Sequence, residues 1–184
     1  MDVIKVPISE QELVSRLKVG ESEAFTILTK MYQERLYWHI RNLVKNHEDA
    51  DDVLQNVFIK VYRNISNFNE ESKLYTWLYR ISSNESYTFL SKRAKQQSIS
   101  SEELQRHIID SLESDVYFEG TEIQFKLQKA ITALPPKQQQ VFQMKYFEDI
   151  TYDAMSEILE TSVGALKSSY HIAVKKITTH LKTH

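Results

Sequence analysis

The 184-residue chain has no cysteine and only three glycines and three prolines, and it contains no apolar run near the ~20 residues that a membrane-spanning helix needs. Without cysteine there can be no disulfide and no thiolate-held zinc or iron–sulfur centre, as a reducing cytosol permits. Few glycines and prolines mean few turns, and with Leu, Ile, Lys, Glu and Gln plentiful the expectation is an all-α protein. The N-terminal stretch MDVIKVPISEQELVSRLK lacks the apolar core of a signal peptide, so a soluble, cytoplasmic protein is expected. Histidines at 39, 47, 107, 171, 180 and 184 form no HExxH or paired-ligand spacing. His180 and His184 are one turn apart but read as a solvated chain end. No catalytic residue, metal, cofactor or small-molecule substrate is therefore expected.

What is present is an uneven distribution of charge. The net value is −2, too low for a generally basic nucleic-acid coat, but residues 98–125 are strongly acidic while 70–97 and 161–184 are basic. The last acidic residue of the chain is Glu160.

Periodicity divides the chain into two small helical domains, 1–95 and 122–184, joined by a flexible linker over 96–121. Ser9-Glu-Gln-Glu12 has the pattern of a helix start. Phe25, Leu28, Met31, Tyr32, Leu36, Ile40, Leu43 and Val44 mark a long amphipathic helix. Ala50, Val53, Leu54, Val57, Phe58 and Val61 mark the next, and its opposite face carries Asp51, Asp52, Gln55 and Asn56. After the loop NISNFNEESK, Leu74, Trp77, Leu78 and Ile81 open a fourth helix that reaches a basic run at 91–95. The linker, QQSISSEELQRHIIDSLESDVYFEGT, is polar and keeps no long apolar period. In the second unit Pro136 suits the first position of a helix, where its missing N–H costs nothing, and Thr151 and Ser162 suit N-caps.

Thr151 to Glu160, a corner at Thr161-Ser162-Val163-Gly164 and a final helix have the lengths of a helix-turn-helix. Gly164 leaves room for a backbone or phosphate, and Lys167, Ser168, His171, Lys175 and Lys176 suit phosphates and base edges. The same residues would also serve a small helical domain that simply needs a corner and a solvated last helix. In the first unit, FNEESKLYTWLYRISSN concentrates aromatic residues beside cations, which suits unstacked bases. Trp77, Leu78 and Ile81 in that run have the spacing of a buried stripe, whereas Tyr75, Tyr79 and Tyr87 could face either way.

Together these stretches resemble extracytoplasmic-function (ECF) RNA polymerase sigma factors of the sigma-70 superfamily. The run ALPPKQQQVFQMKYFEDITYDAMSEILETSVGALKSSYHIAVKKI is similar to their region four, with the Leu-Pro-Pro turn and Val-Gly-x-x-Lys-Ser start of the recognition helix. FNEESKLYTWLYRISSN is similar to the region-two segment that melts the promoter, and HEDADDVLQNVFIKVYRNI to the helix that docks on polymerase. The resemblance implies a minus-ten contact set of Phe68, Asn69, Ser72, Lys73, Leu74, Tyr75, Arg80, Asn84, Lys92 and Arg93. It implies a minus-thirty-five set of Ser162, Gly164, Ala165, Lys167, Ser168, His171 and Lys175. Asp51, Asp52, Leu54, Gln55 and Asn56 would bind polymerase. The implied partners are core RNA polymerase, through its clamp coiled coil and flap, promoter DNA, and an anti-sigma factor that is membrane-bound in some members. The chain departs from the pattern at Asn56, where relatives carry an acid, and at Ser169 and Ile172, where they carry arginine. The alternative is a one-component helix-turn-helix regulator with an N-terminal dimerisation or sensing bundle.

Overall fold

A computed structural model of the protein describes residues 8–97, 100, 103, 106 and 121–183. Every regular element among them is helical. The first four α-helices are α1 (Glu10–Lys18), α2 (Ser22–Val44), α3 (His47–Asn64) and α4 (Leu74–Gln97), with a 3-10 turn at Ile65–Asn67. The second unit holds α5 (Glu122–Thr132), α6 (Pro136–Tyr146), α7 (Tyr152–Leu159) and α8 (Val163–Thr183). Of the linker expected over 96–121, Gln96 and Gln97 belong to the end of α4, and apart from these and Ser100, Glu103, Arg106 and Thr121 it lies outside the described residues.

Caps fix where the helices begin. The Ser9 hydroxyl accepts from the Glu12 amide at 3.1 Å, the Asn46 side chain from the Asp49 amide at 2.9 Å, and Thr151 from the Ala154 amide at 3.3 Å. Thr121 and Gln124 form a reciprocal capping box at the start of α5. Three stops use left-handed backbone, one of them Glu160 after α7 at φ 50°. Gly20, at φ 83°, ends the first helical stretch at no steric cost, whereas Lys45 ends α2 at φ 63° with a full side chain.

The buried rows of α1, α2 and α3 follow the apolar spacing: Leu13, Val14 and Leu17; Leu28, Leu36, Ile40 and Val44; Ala50, Val53, Val57 and Val61. Met31 departs from that pattern and is half exposed. The sequence pattern is weakest along α4 and α6 because each is covered on more than one side. In α4 the buried positions include Thr76, Ser82, Ser83 and Ser86, small polar residues that let neighbouring helices approach closely. The hydroxyls of Ser82 and Ser86 are satisfied locally, Ser82 donating to the Leu78 carbonyl and Ser86 to that of Ser82, both at 2.9 Å. In α6 five consecutive residues from Gln140 to Met144 are buried.

Consequently the apolar interior does not divide at the linker. Its larger part joins the first four helices to Val141, Met144, Ile150, Ala154, Met155, Ile158 and Leu166 of the second unit. A smaller cluster, Ala130, Ile131, Leu134, Phe142, Ala173 and Ile177, belongs to the second unit alone. The units meet where α4 packs on α7 and α2 on α6.

Candidate nucleic-acid and polymerase interfaces

Helix α8 is held by one face and open on the other. Leu166, Ala173 and Ile177 are buried, and the Tyr170 ring stacks on Phe142 with centroids 5.8 Å apart. Glu160 turns the chain at φ 50°, and the Ser162 hydroxyl accepts from the Ala165 amide at 3.3 Å, which starts the helix. On the opposite side Gly164, Ala165, Lys167, Ser168, His171 and Lys175 are all exposed, as is Ser162. The seven residues expected at the minus-thirty-five element thus share one solvent-facing surface. Lys176 is exposed too, but its Nζ donates to Gln138 Oε1 at 3.1 Å. A Cβ at Gly164 would meet nothing within 4 Å and the residue is not left-handed, so the fold itself has no need of glycine there.

The surface expected to meet the minus-ten element is more divided. Phe68 and Leu74 are 3% and 0% exposed, and Phe68 packs on Trp77 with centroids 5.1 Å apart. Both apolar ends of the expected base-contacting loop are thus buried. Their rings and methyls anchor the loop to the core, because the 3-10 turn and the start of α4 bring both side chains inward. Asn69 and Lys73 remain exposed and Ser72 and Tyr75 half-buried. Asn84 and Lys92 are exposed on α4, while Arg93 is ion-paired with Asp49. Arg80 reaches the second unit. Its Nη2 donates to the Glu157 carbonyl at 2.5 Å, and its Nη1 lies 3.8 Å from Glu160. Of the three ambiguous tyrosines, Tyr79 is buried and Tyr75 and Tyr87 are half-buried. Burial pushes the Tyr79 phenol well up, and the negative charge of Glu148 adds to the shift; burial alone raises Tyr87.

On α3 the polar face is intact, with Asp51, Asp52, Gln55 and Asn56 exposed and Leu54 half-buried. His47 Nε2 lies 3.5 Å from Asp51. The same face continues to Ile59 and Tyr62, 42% and 60% exposed, which the sequence reading omitted. Ile59 stands two turns from Asp52, so an apolar residue in a polar row was the available signal. Also missed was His39, which is buried on α2 and directed at the second unit. Among the described residues no group of three His, Asp or Glu side chains is placed to hold a metal, and no helix is long and apolar enough to cross a membrane.

An acid-faced helical unit joined to a helix-turn-helix with an open basic face defines a DNA-directed transcription factor of two parts. Family comparison makes the class specific. Residues 28–96 match the family of sigma-70 region 2, and residues 124–177 match sigma-70, region 4. The chain belongs to the sigma-70 family, in its ECF group, and it directs RNA polymerase in promoter-dependent initiation. It is 29% identical over 167 residues to the RNA polymerase sigma-H factor of Pseudomonas aeruginosa, covering 86% of each chain. It is 29% identical over 171 residues to the ECF RNA polymerase sigma-E factor of Haemophilus influenzae, covering 88% of this chain and 89% of that one. The ECF RNA polymerase sigma factor SigW of Bacillus subtilis is 26% identical, with 86% and 89% covered. In fold, the chain is similar to CnrH solved in complex with the cytosolic domain of CnrY, with a TM-score of 0.69 at 16% identity over 95% and 97% of the two chains. It is also similar to the sigma factor RpoE of Bartonella quintana, solved with the anti-sigma factor NepR, with a TM-score of 0.65 at 19% identity over 86% and 96%.

Proposed function

We propose that this sigma factor grips a promoter at two points while a third surface holds the polymerase. Helix α8 enters the major groove at the minus-thirty-five element. The loop before α4, with Asn69, Ser72 and Lys73, and the helix itself, with Tyr75, Arg80, Asn84 and Lys92, meet the opened minus-ten element. The outer face of α3, extended to Ile59 and Tyr62, docks on the clamp coiled coil, and the second unit docks on the flap.

The observation that carries the reading is the surface of α8. All seven groove-directed residues are exposed on one side, and no acidic residue follows Glu160. A helix N-terminus beside a glycine admits a phosphate closely, and Lys167, His171 and Lys175 add donors along the groove. Cations concentrated in two short segments leave the chain short of backbone contacts by itself, and polymerase supplies the remainder. The protein performs no covalent chemistry. It works in the cytoplasm, and the relatives solved with regulatory partners support an anti-sigma factor, membrane-tethered or free, as the partner that restrains it.

Reconstitution with purified core polymerase on a pool of genomic promoters tests this. Run-off transcripts starting at defined sites are expected, while the isolated protein binds duplex DNA poorly. Tight, sequence-specific duplex binding with no support of initiation would instead identify a one-component regulator.

A further inference from the structure

Helix α1 precedes residues 28–96, the part that matches region 2, yet two of its polar residues tie down the loop 68–73 from outside. Lys73 stands just before α4, and its carbonyl accepts from the Trp77 amide at 3.2 Å, so it occupies the N-cap position. A lysine side chain only donates and offers a helix start no acceptor. Glu10, 64 residues earlier, supplies one: its Oε1 accepts from the Leu74 amide at 3.0 Å. Lys73 itself remains exposed.

The second tie is at the middle of the loop. Glu70 holds left-handed backbone, φ 62°, which a residue with a Cβ seldom adopts and which persists only where its surroundings impose it. Lys18 Nζ donates to Glu70 Oε1 at 2.6 Å. Inside the loop the Asn69 side chain accepts from the Glu71 amide at 3.5 Å, at the outer limit of a hydrogen bond. The shape of the loop is therefore imposed from α1 more than from within. With side chains 30% and 47% exposed, the Lys18–Glu70 pair adds little to global stability. Selecting one shape for a short loop takes far less than holding a core together. Between α1 and the loop lies a recess of about 340 Å³, with Gln11 and Val14 on one side and Ser72 and Lys73 on the other. The spacing of the two elements sets its width.

We infer that α1 positions the minus-ten loop. Glu10 caps α4 in place of Lys73, and Lys18 pins Glu70, so that the recess keeps the width, and Asn69 and Ser72 the placement, that an unstacked base requires. Glu10 and Lys18 are positioning residues: they act on DNA through the loop. The inference rests on the proposed role of that loop in minus-ten contact.

The test uses full-length protein reconstituted with core polymerase. It is titrated with a fluorescent single-stranded oligonucleotide carrying the minus-ten sequence of a promoter recovered by run-off transcription, and with the same bases in scrambled order. The ratio of the two affinities reads the shape of the loop, since a change in charge or in the amount of folded protein moves both affinities together. Glu10→Ala is expected to lower that ratio about fivefold, as the loss of one cap implies, while Glu10→Gln, which keeps an acceptor oxygen, stays near wild type. Lys18→Glu is expected to lower the ratio too, and Lys18→Glu combined with Glu70→Lys, which reverses the pair, to restore it. Circular dichroism checks that each variant is folded. Should Glu10→Ala fail to fold, the exchange of Lys18 and Glu70 decides alone. A ratio that stays at the wild-type value in folded Glu10→Ala and Lys18→Glu overturns the positioning role, provided that Asn69→Ala still lowers it. A loss that neither Glu10→Gln nor the exchange recovers overturns it as well. If Asn69→Ala and Ser72→Ala both leave the ratio intact, the failure belongs to the assignment of the loop to DNA.

Discussion

His39 and Glu148, 109 residues apart, meet between the two units with side chains only 1% and 10% exposed. A carboxylate can only accept, so the proton on His39 Nδ1 points to Glu148, and Nε2 is left to Ser83. The contact ties α2 and α4 to the short loop after α6.

Removing the imidazole should therefore uncouple the units before it unfolds either. His39→Ala leaves the Glu148 carboxylate without this partner, and the lost charge-assisted bond costs about 2 kcal/mol. Differential scanning calorimetry is expected to show one transition for the wild type and two for the variant. A single transition that merely shifts to lower temperature would mean that His39 stabilises one unit and does not join them.

Gly164 separates stability from function. Alanine there meets no neighbour, and it favours helix by up to ~1 kcal/mol over glycine, less near a helix end. Gly164→Ala should hold or raise the urea midpoint while lowering initiation at promoters that depend on a minus-thirty-five element. Unchanged transcription would remove the need for close approach at this position.

Phe68 offers the opposite test. Since its ring is core, Phe68→Ala should destabilise the first unit by about 3–5 kcal/mol, whereas Phe68→Leu retains most of the burial and most promoter opening. Asn69→Ala, at an exposed site, should lower opening with no change in melting temperature. Permanganate footprinting of the melted region reads both.

Lys45 has a pH signature. Burial, and then the positive charge of Arg41, push its amine down to about 7 from an ordinary 10.5. The unfolded chain binds the proton more readily, so this group's penalty is full below about pH 7 and fades as pH rises toward 10.5. Lys45→Met should be more stable than wild type near pH 6, with the advantage shrinking above pH 7 in urea titrations. A constant difference across that range would show that charge is not the source.

The proposed polymerase face is tested on α3. Asp52→Arg reverses an exposed charge without touching the core, so core-polymerase binding in a competition assay should fall at least tenfold while melting is unchanged. Tyr62→Ala should weaken binding less, because its ring also rests edge-on against Phe25, 5.3 Å away.

Local chemistry was enough to read the helices, their caps and the exposed face of α8. Apolar spacing, Ser, Thr and Asn at helix starts, and the absence of acid after Glu160 all act within a turn or two of chain. The exposed row of α8 follows from that spacing, since once Leu166, Ala173 and Ile177 are inward the lysines and His171 have one side left. What the tertiary structure alone decided concerns surfaces that are covered twice. Small serines let α4 pack on both units, a pattern with no strong period, and α6 buries two glutamines that look solvent-facing in sequence. The burial of Phe68, beside the 3-10 turn, and of Leu74, at the start of α4, is not visible in the loop sequence around Asn69 and Lys73. His39 lies on the apolar stripe of α2, one turn from Leu36 and Leu43, but finds Glu148 only when the two halves close. Periodicity records which face of a helix is apolar, but burial of a polar face depends on partners far along the chain.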